Sequence, residues 1–139
     1  VTGMQYKAAE GFTLAFQNGW DKEAYTNGKI WQVATLRPGK YRLEVTYAYT
    51  MVVSDVGNFI SALMAKGNSE SDIPNVADIE QLNGVCAIYD KAGTNDDSGI
   101  LVTPSFEVTE TTDVVIGFLT SLAKGNSYFK VTELKLILE

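Results

Sequence analysis

An all-β fold, an antiparallel two-sheet β-sandwich of the jelly-roll type, is predicted by three features of this chain. The first is the segment that follows Pro38-Gly39. There Tyr41, Leu43, Val45, Tyr47 and Tyr49 alternate with Arg42, Glu44, Thr46 and Ala48. Period two marks a strand with one buried face. The second is recurrence: the same alternation returns in several later segments, separated by Gly, Asn and Pro signals. The third is the scarcity of helical periodicity, which leaves room for one short helix near residues 75–83.

The elements are expected in this order. Phe12, Leu14 and Phe16 alternate with Thr13 and Ala15, giving a first strand. Asn18-Gly19 and Asn27-Gly28 punctuate a loop. Lys29 to Leu36 forms a second strand. Arg37-Pro38-Gly39-Lys40 turns it into a third, Tyr41 to Thr50, because Pro presets φ and Gly accepts a positive one. Asn58 to Lys66 is apolar on both faces, which places it inside a sheet. In the long connection Ser69 to Asn83, Val76, Ile79 and Leu82 fall three apart after Pro74, the spacing of short helical turns. Val85 to Tyr89 is a fifth strand and Lys91 to Gly99 a polar loop. Ile100 to Val108, Val114 to Thr120 and Tyr128 to Leu138 complete roughly eight strands. In the last, the apolar parity switches between Val131 and Leu134, which predicts a bulge near Thr132. Ala-Lys-Gly-Asn-Ser occurs twice, at residues 65–69 and 123–127, and reads as reuse of one turn chemistry.

Composition narrows the function classes. A chain of 139 residues is expected to form one domain, residues 1–139, burying roughly two-thirds of its unfolded surface. The net charge of −6 disfavours nucleic acid or an anionic membrane as partner, because both call for a basic patch, and direct membrane insertion of the domain is not expected. No apolar run approaches the roughly 18 residues of a membrane span. The chain contains no His and one cysteine, Cys86, in an apolar run. A thiol there reads as buried and inert, without a disulfide or a His to activate it. The acidic run Asn95-Asp96-Asp97-Ser98-Gly99 lacks EF-hand spacing and reads as a solvated turn. Gly117 and Gly125 are not followed by the Lys-Ser/Thr of a phosphate loop. Pairs such as Glu107 and Glu110 would need a cleft to hydrolyse glycosides, and short loops argue against one. The expectation is therefore a protein that is not an enzyme.

Several segments carry a family resemblance. Ile30-Trp31-Gln32-Val33-Ala34-Thr35-Leu36 with Arg37-Pro38-Gly39-Lys40-Tyr41 resembles the strand–turn–strand of galactose-binding-like jelly rolls, which include many carbohydrate-binding modules. Ala62-Leu63-Met64-Ala65-Lys66-Gly67, Asp72-Ile73-Pro74 and the stretch from Ser105 to Phe118 add to it. Together they resemble an uncharacterised domain found toward the C-terminus of Bacteroidetes-type cell-surface lipoproteins, over about Gly11 to Leu138. The resemblance implies a domain excised from a longer secreted or surface protein, at the bacterial cell surface. It implies a non-catalytic carbohydrate-binding module whose partners are a glycan and the other domains of the parent protein. The alternative is a structural spacer or protein-interaction domain with no small ligand. No cofactor is implied; a structural calcium occurs in related jelly rolls, without ligands that could be named here.

A sugar site needs a flat aromatic face for the C–H side of a pyranose and a few polar groups for its hydroxyls. The candidate ligand-binding residues are Trp20, Trp31, Tyr25, Tyr89 and Asp90. If Gln32, Ala34 and Leu36 face the core, then Trp31, Val33 and Thr35 face outward; the other reading packs Trp31 under a loop. Trp20 and Tyr25 belong to a turn-rich loop that is either a binding loop or a plug for one end of the sandwich. Tyr89 and Asp90 border the Lys91–Gly99 loop, where they either join a site or cap a strand.

Overall fold

A computed structural model describes residues 3–6, 14–18, 25–51, 59–81, 86–87, 97–122 and 127–139. Among the described residues there are ten strands and no α-helix. They are β1 (Gly3–Tyr6), β2 (Leu14–Asn18), β3 (Tyr25–Leu36), β4 (Gly39–Met51), β5 (Phe59–Lys66), β6 (Cys86–Ala87), β7 (Asp97–Val102), β8 (Phe106–Val108), β9 (Thr112–Leu122) and β10 (Ser127–Leu138). Two 3-10 turns, Glu70–Asp72 and Val76–Gln81, lie between β5 and β6. The second matches the three-residue apolar spacing read from the sequence.

All pairings are antiparallel. One sheet runs β1-β2-β10-β4-β7, with β8 also on β4; the other runs β3-β9-β5-β6. The chain changes sheet between β2 and β3, β3 and β4, β4 and β5, β6 and β7, β8 and β9, and β9 and β10. This repeated crossing makes the inward faces of both sheets one core.

That core is built by parity. Tyr41, Leu43, Val45 and Tyr47 point in from β4 and meet Ala62 and Met64 of β5 and Val114, Ile116 and Phe118 of β9. Arg42 and Glu44 point out, but are only half exposed, because they form an ion pair at 2.8 Å. The buried Tyr41 keeps its phenol satisfied by donating to the Arg37 carbonyl at 2.7 Å, which ties down the β3–β4 turn. Gly39 in that turn takes a φ of 159°.

Several boundaries differ from the sequence expectation. Asn27-Gly28 is inside β3, not a loop: Asn27 takes a left-handed φ of 54° at a register shift between Tyr25 and Gly28. Asn tolerates that conformation, so the strand continues through a bulge. β1 carries no strand signal that was legible in the sequence. Ile100 to Val108 is two strands, interrupted at Pro104, which cannot donate to a ladder. Asp97 to Gly99 belongs to β7 and not to a loop, since Asp97 pairs with Thr50 and Gly99 with Tyr47. The bulge expected near Thr132 is present as a register shift between Val131 and Glu133, and Thr132 donates its hydroxyl to the Thr46 carbonyl at 3.3 Å. β6 includes Cys86, whose side chain lies outside the described residues, as do most of Val85–Tyr89 and Lys91–Gly99.

Candidate functional site: the outer face of the β3 edge

Among the described residues β3 is an edge strand, paired only with β9. Its inward positions Ile30, Ala34 and Leu36 pack on the core. Gln32 shares their parity yet is exposed. The outward positions include Trp31, 39% exposed, and Val33, 44% exposed. Trp31 therefore faces solvent, as the outward-parity reading had it. Among the described residues its indole N–H has no hydrogen-bond partner.

The surroundings of Trp31 follow from the β3–β9 register. Gly117 lies directly opposite it. A Cβ at Gly117 would strike the Ile30 carbonyl oxygen and lie 2.8 Å from Trp31 Cα. Glycine is thus required by the close approach of two backbones, and it leaves no side chain beside the indole. Farther along the same face Thr35 donates its hydroxyl to Asp113 Oδ1 at 2.7 Å, across an exposed cross-strand pair. Asp113 keeps acceptor capacity on its other oxygen. From Trp31 to Thr35 the strip runs about 13 Å at strand rise.

The rest of this face is covered. Leu63, Ala65, Ile73, Val115 and Leu119 form a second apolar cluster, with Phe59 and Val76 against it. Its roof is the connection that holds the two 3-10 turns. Two β3 side chains pin that roof: Lys29 Nζ donates to the Ile73 carbonyl, and Asn27 Oδ1 accepts the Val76 N–H, each at 2.9 Å. The roof stops short of Trp31 and Val33. The arrangement is an open aromatic step beside a fixed ledge, with a hydroxyl–carboxylate pair at its far end.

Of the residues singled out from the sequence, Trp31 lies at this step. Tyr25 begins the same strand opposite Leu122, six positions away and beyond the Asn27 bulge, and its side chain lies outside the described residues. Trp20, Tyr89 and Asp90 also lie outside them. The residues that sequence reasoning missed are Asp113 and Gly117, since nothing in the sequence sets the register of β9 against β3. Among the described residues no group of three or more His, Cys, Asp or Glu could hold a metal ion. None of their helices is long and apolar enough to cross a membrane.

The profile of one protein family, described as "Domain of unknown function (DUF5013)", matches residues 2–117. The chain belongs to the DUF5013 family. No curated protein matches it. The DUF5013 match takes in β3, β4 and Gly117, so the Trp31 step lies within it. It ends inside β9, before β10.

Proposed function

We propose that this DUF5013 domain is a non-catalytic carbohydrate-binding module of a bacterial cell-surface protein, with Trp31 as its sugar platform. The observation that carries the reading is the exposed indole of Trp31, which has no hydrogen-bond partner among the described residues. A half-exposed Trp offers a rigid π-face and one free N–H donor, the two things a pyranose ring and its hydroxyls require. Thr35 and Asp113 supply polar partners within reach of a second ring. The sheet-swapping connectivity and the Ile30–Tyr41 segment support kinship with galactose-binding-like jelly rolls, and through them the surface location and the neighbouring domains of a lipoprotein. Trp20, Tyr25, Tyr89 and Asp90 remain proposed contributors.

A broad glycan array followed by titration calorimetry tests the reading. Trp31→Ala should weaken binding of any glycan hit by about 2 kcal/mol or more, as loss of an aromatic anchor does, and Asp113→Asn should weaken it less. An array without any hit, or an unchanged affinity in Trp31→Ala, overturns it. A spacer or protein-interaction role is the second reading, and it is favoured by Ile100 and Val102, which are 62% and 50% exposed on the other sheet.

A further inference from the structure

We infer that the Trp31 step selects amino-sugar chains whose amino groups are free, as in an oligomer of glucosamine, over neutral and acidic glycans. This inference rests on the sugar-platform reading and adds the charge of the ligand to it.

The two ends of the strip call for the same chemistry. At the far end the Thr35–Asp113 pair presents acceptors only. The Thr35 hydroxyl spends its proton on Asp113 Oδ1 at 2.7 Å, which leaves lone pairs on Thr35 Oγ1 and the second oxygen of the carboxylate. Among the described residues no cation pairs with Asp113. An ammonium group brings three donors and a positive charge, and charge-assisted hydrogen bonds are roughly twice as strong as neutral ones. A carboxylate or sulfate on a sugar brings no donor and meets like charge. At the near end the exposed indole face of Trp31 carries the negative side of the ring quadrupole, which attracts a cation.

The ground between and around the two ends has the same sign. From Trp31 to Thr35 on β3, and from Asp113 to Gly117 on β9, there is no Lys or Arg. Lys29, which shares the outward parity of Trp31, turns its ammonium to the Ile73 carbonyl in the roof at 2.9 Å. On the other side the Asp113 carbonyl accepts the Gly67 N–H at 3.0 Å, and a Cβ at Gly67 would collide with the Asp72 carboxyl. Asp72 thus sets a second negative charge beside Asp113. The net charge of −6 repels anionic chains and draws cationic ones. Trp31 and Thr35 are about 13 Å apart at strand rise, so a single ring does not touch both ends. An oligomer with an amino group on every ring places one cation at the indole and another at Asp113.

Titration calorimetry of the whole chain at mildly acidic pH, where sugar amines are protonated, tests this. The probes are a glucosamine oligomer, its fully N-acetylated counterpart and a uronic-acid oligomer. The glucosamine oligomer should bind about tenfold tighter than the acetylated one, the worth of one hydrogen bond to a charged group, and the uronic-acid oligomer should bind weakest. Asp113→Asn keeps an acceptor for Thr35 and should abolish the tenfold preference. Glu107→Gln removes an equal charge from β8, on the other sheet, and should preserve it. Equal binding of the free-amine and acetylated oligomers, or tightest binding of the uronic-acid oligomer, overturns the inference and leaves the sugar platform standing. An equal loss in both variants also overturns it, since net charge alone would then be the attractant. A lysine oligomer that competes as well as the glucosamine oligomer overturns it too, because no sugar ring would then be read. If none of the three oligomers binds, the inference fails; a glycan array with hits then keeps the platform, and one without hits removes it.

Discussion

Trp31 and Gly117 face each other across the β3–β9 ladder. The glycine, a buried position, admits the β3 backbone to within contact of β9. Gly117→Ala should destabilise the protein by about 1–3 kcal/mol, because the added methyl meets backbone atoms that cannot swing aside. Urea denaturation would measure this, and an unchanged midpoint would show that the two strands can separate without cost. Trp31→Ala should behave differently. A core Trp→Ala costs roughly 3–5 kcal/mol and a core Leu→Ala roughly 2–5. Trp31 is 39% exposed and Leu43 is fully buried. Leu43→Ala should therefore cost clearly more stability than Trp31→Ala, although it removes a smaller side chain. The reverse order in paired thermal melts would mean that Trp31 is a structural residue.

The connection between β5 and β6 is held by polar clasps at its start and at its middle. At the near end Asp72 Oδ2 accepts the N–H groups of Asn68 at 2.9 Å and Ser69 at 3.0 Å, and the Ser69 hydroxyl at 3.1 Å. This is the reaching-back half of a capping box. The Asn68 and Ser69 amides, then the Ser69 hydroxyl, hold the Asp72 carboxyl below its ordinary 3.8. A carboxylate with a lowered folded-state value stabilises the turn fully above the unfolded value and loses that contribution as pH falls through the folded one. Asp72→Asn should therefore be less stable than wild type at neutral pH, and the gap should close as pH drops below 3.8. Melting temperatures between pH 7 and pH 2 would check this; a gap that is constant with pH refutes it. Gly67 belongs to the same clasp. Its φ is 135° and a Cβ there would collide with the Asp72 carboxyl.

At the middle of the connection Asn27 performs two tasks. Its left-handed backbone places its N–H on Ser121 Oγ at 2.9 Å, and its side chain accepts the Val76 N–H. Asn27→Gly keeps the conformation and loses the clasp, while Asn27→Ala loses both. We expect Asn27→Ala to cost about 1–3 kcal/mol, with Asn27→Gly in between. Hydrogen exchange at the Val76 amide should quicken in both variants. Equal stability of the two variants would mean that the φ of 54° carries no strain.

In the molecule as a whole, the last strand sits in the middle of a sheet. β10 pairs with β2 over Leu14–Asn18 and with β4 over Tyr41–Met51. Leu36 of β3 likewise waits for Thr112 of β9. Such pairings close long loops before they gain contacts, so folding in milliseconds to seconds is expected rather than microseconds. They also make the fold depend on residues beyond the family match. A chain ending at Gly117 lacks part of β9 and all of β10. It should show no cooperative thermal transition by circular dichroism, and a sharp melt from that fragment would refute this dependence.

The all-β class, the core face of β4 and the bulge near Thr132 were legible in the sequence by itself. Each depends on the order of apolar and polar residues along one strand, and parity along a strand is a local property. The 3-10 turn at Val76–Gln81 was legible for the same reason, through its period of three. The outward face of Trp31 followed from parity with Leu36 once a core face was assumed. Tertiary structure alone decided the rest. It settled that Ile100 to Val108 breaks at Pro104, since an edge tolerates a proline that a continuous central strand would not. It settled that Asn27-Gly28 bends a strand and does not end it, because Ser121 and the Val76 amide were available to satisfy the bulge. It also brought Gly117 and Asp113 to β3. Register between strands some 80 residues apart is set by the packing of two whole sheets, and no local pattern in the chain encodes it.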